Sequence, residues 1–328
     1  MSTLTQLIES AIAARAQLCA TLAAEGTDSY RLFHGAAEGR EGLAIDRYGT
    51  LVLVQMFREP LTAAERAELE PLLRARVPDA TEIAFVERGA AQRGDSESAD
   101  HVCREFGASF LVRARHRGVD PWLFLDLRAG RRALRALCAG GSVLNLFAYT
   151  CSAGISAAVA GASEVWNVDF ARSALEIGRR NAEQNGIDPA RMRFVQEDCL
   201  PVLRQLAGLP VKGRGAQRDY LRLEARRFDV VFLDPPAWAT GPFGAVDVEH
   251  DYPALLKPAL LATSPGGSVV ATNHAASVDR EEWLAILRRC AEKAGRPLAA
   301  VESIAPEADF PSRDGHPPLK IAVCSTAP

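Results

Sequence analysis

The chain has 328 residues, 48% of them hydrophobic and 24% charged, and a formal net charge of −3 at pH 7. This length suits two domains with a sizeable core, and the composition is that of a globular protein. No apolar run approaches the roughly 20 residues of a membrane helix, and the net charge gives no general sign of nucleic-acid binding. The 7 cysteines lack C-x-x-C spacing, which argues against zinc and predicts reduced thiols in a cytoplasmic protein.

The first part of the chain predicts an N-terminal helix followed by a small α+β domain. Residues 4–24 carry apolar residues at helical spacing, and Gly26 ends that pattern. The segment 43–57 predicts strands joined at Tyr48-Gly49. Further along, we expect a helix over 62–76 and strands over 82–87 and 106–117. We therefore assign 1–28 to the helix and 29–118 to the small domain.

From Pro121 onward, strands alternate with helices, which is typical of a parallel sheet with crossover helices. The fold class is therefore α/β, with a Rossmann-like domain over residues 119–328. Strands are expected at 143–148, 165–169, 192–195, 229–233, 267–272, 298–304 and 319–325.

The segment Phe228–Trp238 is the most informative of the chain. A buried strand runs into Asp234-Pro235-Pro236 and ends there, because neither proline can donate to a ladder. The acid, a rigid carbonyl and Trp238 should lie at the carboxyl edge of the sheet, where open α/β folds bind ligands. A planar ring bearing an amino group could donate to Asp234 and stack on Trp238. The alternative is a buried strand with a proline stop and no site.

The turn after Val143–Leu146 indicates the kind of ligand. The following strand ends in Asp169, and an acid at this place in such a fold binds the hydroxyls of a ribose. The turn offers Gly154 where dinucleotide enzymes have G-x-G-x-x-G. A pyrophosphate needs close backbone approach, whereas an adenosine linked to an amino acid does not. The pattern therefore favours S-adenosylmethionine over NAD.

Taken in order, several segments resemble ribosomal RNA large-subunit methyltransferases, which are class I S-adenosylmethionine enzymes that modify cytosine at C5 or guanine at N7. These segments are Phe124–Arg128, Asn145–Thr150, Asp169, Asp198-Cys199 and Asp234–Pro236. Gly42–Gly49 is similar to a hairpin in the small substrate domain of that family. The resemblance implies a class I methyltransferase sheet preceded by a substrate-binding domain, and RNA, ribosomal in this family, as the partner. It implies cofactor contacts at Arg128, Asn145, Phe147, Tyr149, Thr150, Gly154, Asp169, Phe170, Asp198, Cys199 and Asp234.

One departure from the family bears on the target atom. The cytosine-5 branch has a nucleophilic cysteine just after the strand that here ends in Asn273, but this chain reads Asn273-His274-Ala275-Ala276. An adduct at C6 of cytosine needs a thiolate, and asparagines are found here in the guanine-N7 branch. We therefore expect transfer to a ring nitrogen of an RNA base. The residues expected to hold and orient that base are Asp234, Pro235, Pro236, Trp238 and Asn273.

Other interpretations stay open at this point. The substrate could be a protein or a small molecule, or the chain could be a non-catalytic RNA-binding protein that keeps the cofactor fold; a homodimer is also left open. Asp198 could cap the helix that follows it, Arg128 could be a solvated charge, and His274 could lack a role. Basic residues in 210–227 could contact RNA phosphates or lie on a solvated helix, and a cluster at Arg113, Arg115, His116 and Arg117 is the better candidate.

Overall fold

A computed structural model describes residues 3–88, 98–115, 120–211 and 219–328. The chain forms two compact units, Met1–Asp126 with Glu307–His316, and Leu127–Pro306 with Pro317–Pro328. The predicted boundary at 118/119 lies outside the described residues. The sequence analysis did not predict that Glu307–His316, which links the last two strands of the second unit, belongs with the first unit.

The first unit contains a four-stranded sheet in the order β1-β2-β3-β4 and a separate two-stranded hairpin, β5-β6. Strands β1, β2 and β3 pair antiparallel, whereas β3 and β4 are parallel because the helix α4 crosses between them. The elements are α1 Leu4–Ala14, α2 Ala16–Ala24, β1 Ser29–His34, α3 Gly35–Glu38, β2 Leu43–Tyr48, β3 Leu51–Met56, α4 Ala63–Arg76, β4 Glu82–Glu87, β5 His101–Glu105 and β6 Ala108–Val112.

The predicted N-terminal helix is broken at Arg15. The guanidinium of Arg15 is buried, donates to the carbonyl oxygen of Ala11 and forms an ion pair with Glu38 at 2.6 Å. A buried charge needs such partners, and reaching them places Arg15 at the junction of α1 and α2. Ile8 and Leu22 pack into the same hydrophobic core as the sheet, so residues 1–28 are part of this unit and not a separate segment.

The strand predicted over 106–117 is shorter than expected and belongs to a hairpin. Phe106 and Gly107 have positive φ angles of 52° and 77°, the conformation of a tight hairpin turn. The turn reverses the chain, so β6 begins only at Ala108 and pairs with β5, which the sequence did not predict.

The second unit is built on a seven-stranded sheet in the order β14-β15-β13-β10-β7-β8-β9. The five strands β13, β10, β7, β8 and β9 are parallel to one another, and β15 is antiparallel to its neighbours β13 and β14. The elements are α5 Arg128–Leu137, β7 Ser142–Leu146, α6 Ser152–Val159, β8 Glu164–Asp169, α7 Arg172–Gln184, β9 Met192–Gln196, α8 Cys199–Leu206, β10 Phe228–Leu233, β11 Trp238–Gly241, β12 Gly244–Asp247, α9 Pro253–Leu261, β13 Thr263–Asn273, α10 Arg280–Lys293, β14 Leu298–Ile304 and β15 Lys320–Thr326.

The strand order reverses between β7 and β10. The chain runs from β7 outward through β8 and β9, then crosses back to place β10 on the other side of β7. In open α/β sheets, ligands bind at the carboxyl ends of the strands at this switch point. The ends of β7, β8 and β10 carry the turn Phe147–Cys151, Asp169 and Asp234, so the topology brings the predicted residues to one edge.

Each unit has its own hydrophobic core. Among the described residues, no single helix is long and apolar enough to cross a membrane; α1 and α2 reach that length and composition only as a pair, with a 49° bend between them.

Candidate active site

The turn that follows β7 holds three non-glycine residues in the left-handed backbone region. Phe147, Tyr149 and Cys151 have φ angles of 57°, 47° and 64°. Such conformations cost of order 1–3 kcal/mol each and persist only where the surroundings hold them. The structure therefore shows a strained turn that is held by its neighbours.

Asp169 at the end of β8 holds one side of this turn. Its Oδ2 accepts a hydrogen bond from the backbone N–H of Tyr149 at 2.8 Å, and its Oδ1 accepts one from Ala171 at 2.8 Å. Burial raises the pKa of Asp169 above its usual value, while these two donors lower it. The carboxylate thus belongs to the turn before any ligand is considered.

Cys199, the first residue of α8, holds the other side. Its Sγ accepts a hydrogen bond from the backbone N–H of Phe147 at 3.1 Å and donates to the carbonyl of Val168 at 3.4 Å. Burial raises the pKa of the Cys199 thiol well above its usual value, so it stays protonated. Cys199 therefore shapes the turn and is not a nucleophile.

Asp198 caps α8, which was the alternative to a cofactor role. Its Oδ1 accepts from the backbone N–H of Leu200 at 2.8 Å. Burial raises the pKa of Asp198, against the effect of this hydrogen bond. Capping uses one oxygen and leaves the other on the cavity side, so the two roles are compatible.

A cavity of about 440 Å³ opens beside these residues. Phe147, Asp198 and Phe170 line one part of it, and Phe170 is 73% exposed. The other wall is the hairpin β11–β12, including Phe243 at its tip, which packs edge-on against Tyr220. The volume falls within the usual range for small-molecule sites, and the lining combines aromatic faces with a carboxylate. The sequence did not predict this hairpin wall.

Asp234, directly after β10, is held by the neighbouring strand. Its Oδ1 accepts from Thr272 Oγ1 at 2.5 Å and lies 2.8 Å from Nε2 of His274. The carboxylate is 17% exposed. Both contacts fall on Oδ1, and within the described part of the chain no side chain donates to Oδ2. The sequence had left His274 without a definite role.

Asn273 is placed differently from the prediction. Its side chain is buried; Nδ2 donates to the carbonyl of Val248 at 3.1 Å, and Oδ1 accepts from the N–H of Ala275 at 2.9 Å. Both ends of the amide are thus used by backbone groups, because the end of β13 turns this side chain inward. The arrangement fixes the loop after β13 and does not support direct contact of Asn273 with a base.

Trp238 begins β11 and is 66% exposed, although it follows the buried end of β10 by only a few residues. Pro235 and Pro236 separate the two strands, and Pro236 lines the cavity. An exposed aromatic ring on a segment that lines a cavity offers a stacking surface.

Other predicted cofactor residues lie behind this surface. Asn145 is buried, and its Nδ2 donates to Asn167 Oδ1 at 2.8 Å. Gly154 packs on the same side chain, since a Cβ there would approach Asn167 Oδ1 to 2.0 Å. Thr150 is buried and Arg128 fully so, which removes the alternative of a solvated Arg128. The positions of Asn145 and Gly154 indicate a role in packing α6 against β8.

Two arginines of the predicted basic cluster have partners within the protein. Arg113 pairs with Asp100 at 2.7 Å and Arg115 donates to the carbonyl of Phe85 at 2.7 Å. His116 and Arg117 lie outside the described residues. In 210–227, Lys212, Arg214 and Arg218 also lie outside them, and the described remainder, 210–211 and 219–227, contains no helix. No group of His, Cys, Asp and Glu side chains among the described residues could hold a metal ion.

The chain is similar to known methyltransferases along most of its length. A family model described as S-adenosylmethionine-dependent methyltransferase matches residues 30–324. The ribosomal RNA large subunit methyltransferase of Deinococcus radiodurans is 31% identical over 303 residues, covering 88% of this chain and 70% of that protein. Ribosomal RNA large subunit methyltransferase I of Aeromonas salmonicida is 28% identical over 303 residues, covering 89% and 72%.

A solved structure shares the fold along nearly the whole chain. A SAM-dependent methyltransferase from Streptococcus mutans has a TM-score of 0.76 at 23% identity and covers 99% of this chain and 82% of its own. A methyltransferase solved in complex with SAH has a TM-score of 0.77 at 23% identity, covering 99% and 83%.

Proposed function

The chain belongs to the family of S-adenosylmethionine-dependent methyltransferases, and from that premise we propose that it methylates a base of large-subunit ribosomal RNA at a ring nitrogen such as N7 of guanine. The enzyme class and the cofactor follow from the family. The RNA substrate is supported by relatives named as ribosomal RNA large subunit methyltransferases that align along most of the chain. The observation that carries the proposal is a partly accessible Asp234 and an exposed Trp238 on the segment after β10, whose Pro236 and Ala239 line the cavity.

The residues around the cavity fit the cofactor. Its volume and its exposed Phe170 suit an adenine ring, and the free oxygen of Asp198 can accept from the amino group of that ring. Asp169 at the end of β8 would bind the ribose hydroxyls. Bound S-adenosylmethionine supplies a methyl group that its sulfonium has already activated.

The chain's own contribution is to position the base. Asp234 and the carbonyl of Pro235 would accept from the base edge, while Trp238 would stack on its face. A base in helical RNA must be unstacked before it reaches such a site. Orientation alone can supply a large part of the rate, because the reacting atoms need only be held in line.

The cysteines argue for a nitrogen target and against cytosine C5. All 7 cysteines fall within the described ranges, and 6 are buried while Cys19 is partly so. Burial raises the pKa of both Cys151 and Cys199, the thiols nearest the turn, well above the usual value. Covalent attack on C6 of cytosine needs an accessible thiolate. A ring nitrogen such as guanine N7 attacks with its own lone pair and needs no protein nucleophile.

Nucleoside analysis tests the proposal. Ribosomal RNA from a strain that lacks the gene is incubated with the purified enzyme and labelled S-adenosylmethionine, then digested and separated by mass spectrometry. We expect one new methylated nucleoside, with the methyl on a ring nitrogen, in large-subunit RNA. Label in 5-methylcytidine would contradict the nitrogen target. Label in protein, or none in RNA, would contradict the RNA substrate.

The free cysteines and the proposed ribosomal RNA substrate support our proposal that the protein acts in the cytoplasm.

A further inference from the structure

We propose that His274 is a positioning residue, which together with Thr272 fixes the carboxylate of Asp234 so that its other oxygen accepts from an N–H group of the substrate base. The inference rests on the proposed function, because it gives Asp234 a base to hold. It goes further by assigning His274 a role and by restricting the substrate to bases that present an N–H donor.

The contacts around Asp234 are one-sided. Thr272 Oγ1 lies 2.5 Å and His274 Nε2 lies 2.8 Å from the same oxygen, Oδ1. A carboxylate rotates about its last bond unless both the donors and the packing hold it, and two donors on one oxygen define its plane. Oδ2 is thereby presented in a fixed direction.

The loop that carries His274 is anchored on both sides. Asn273, before it, uses its amide on Val248 and Ala275, as described above. Behind it, the buried Nζ of Lys320 donates to the carbonyl of Ala275 at 2.7 Å and to that of Pro318 at 2.8 Å. Tyr252, which is fully buried, donates to the carbonyl of Thr272 at 2.8 Å. These contacts fix the backbone on either side of His274.

This geometry explains why Asn273 is buried. An amide that faced the base would leave the carbonyl of Val248 and the N–H of Ala275 without these partners, and buried backbone groups are rarely left so. Asn273 therefore holds the loop, and His274 reaches the site. The imidazole is 31% exposed, so that it stands at the rim and not in the core.

The chemistry of the free oxygen selects the substrate. An ionised carboxylate can only accept hydrogen bonds. Guanine, adenine and cytosine present exocyclic amino groups as donors. The N–H of uracil lies between two carbonyl oxygens that would repel the carboxylate. The arrangement thus favours an amino-bearing base and disfavours uracil.

The test compares three variants in a methyl-transfer assay on large-subunit ribosomal RNA, with the wild type run in parallel. His274→Ala should lower kcat by about 10- to 100-fold, the scale of a misplaced binding group, and change cofactor affinity less than about twofold. His274→Gln, which keeps an N–H donor at similar reach, should restore most of kcat. His316→Ala, which alters an exposed histidine of the other unit, should change neither.

A second measurement keeps the inference separate from the proposed function. In protein labelled with ¹⁵N-histidine, the Nε2–H signal that disappears in His274→Gln should shift in Asp234→Asn, whatever the substrate is. A signal insensitive to Asp234→Asn would overturn the hydrogen bond. Unchanged kcat in His274→Ala, or equal losses in the alanine and glutamine variants with a lowered melting temperature, would overturn the positioning role. If the wild type methylates no RNA while the signal shifts, the proposed function fails and the contact stands.

Discussion

Replacing Trp238 with alanine should weaken RNA binding while costing little stability. The ring is 66% exposed, so truncation removes only the contacts of the remaining third. For a side chain of about 250 Å², that third amounts to about 85 Å², or at most about 2 kcal/mol at 25 cal/mol per Å². Trp283, in contrast, has no exposed surface and packs edge-on against Tyr252 at 5.5 Å, and its truncation should cost about 3–5 kcal/mol.

The expected loss of RNA binding follows from stacking. A base stacked on an aromatic side chain contributes about 1–3 kcal/mol, which corresponds to a roughly 5- to 150-fold weaker Kd. Trp238→Phe keeps a ring in the same place and should recover much of the affinity. Cofactor affinity should change little in either variant, because the cavity is lined by other residues.

The assay combines thermal unfolding, titration with S-adenosylmethionine and methyl transfer to ribosomal RNA on the same preparations. Trp238→Ala is expected to fold, to bind cofactor and to lose RNA affinity. If it folds and methylates RNA as the wild type does, Trp238 is not a stacking surface and the proposed base site is misplaced. If it loses stability to the degree of Trp283→Ala, the exposed placement of Trp238 is wrong.

Other predictions concern the cofactor, the thiols and the response to pH. Asp169→Ala should weaken S-adenosylmethionine binding by about 1–3 kcal/mol in isothermal titration, whereas Asp229→Ala, at the opposite end of the sheet, should not. Cys151 and Cys199, whose pKa burial raises, should resist iodoacetamide at pH 8 until the protein unfolds, as mass spectrometry would show; fast native alkylation would contradict their burial. Burial and the charge of Arg31 lower the pKa of His34 to about 4. Because the unfolded chain therefore binds this proton more readily, the folded state is stabilised above pH 6.5, and this stabilisation is lost as the pH falls towards 4. That shift is worth at most about 3 kcal/mol, and His34→Asn should flatten this part of the pH dependence of unfolding, whereas an unchanged slope would refute it.

In the sheet of the second unit the edge strands β9 and β14 are partly exposed, whereas the sequence predicted the central strands β7, β8 and β10 well because they are buried on both faces. Such strands are short continuous apolar runs, and each predicted run from 143 to 325 contains or overlaps a strand of the structure within a few residues. The hairpin β11–β12 was missed because most of its residues are exposed and its short strands show no alternation. In the first unit, the break at Arg15 could not be read from spacing, since it depends on the distant partner Glu38.

The candidate site was predictable where topology alone decides it. Residues that end parallel strands of one sheet lie at the same edge, and so Asp169 and Asp234, at the ends of β8 and β10 on either side of β7, share that edge. The direction in which a side chain points at that edge depends on which backbone groups elsewhere in the fold need a hydrogen-bond partner. Asn273, which we expected to contact the base, turns inward to Val248, and His274 lies beside Asp234. The residues close to Asn273 in the sequence do not indicate these distant partners.

The strained turn after β7 gives Asp169 a double task. Three residues with positive φ would cost of order several kcal/mol, and the hydrogen bonds from Tyr149 to Asp169 and from Phe147 to Cys199 offset that cost. A glycine-rich turn would reach the same conformation without strain but would lack the ring of Phe147 in the cavity wall. The strained backbone of the turn thus allows an aromatic side chain in the cavity wall. Asp169, which we propose binds the ribose, also holds this turn in place before the cofactor binds. This wall of the cavity is therefore already formed when the cofactor binds, which reduces the entropic cost of ordering the site.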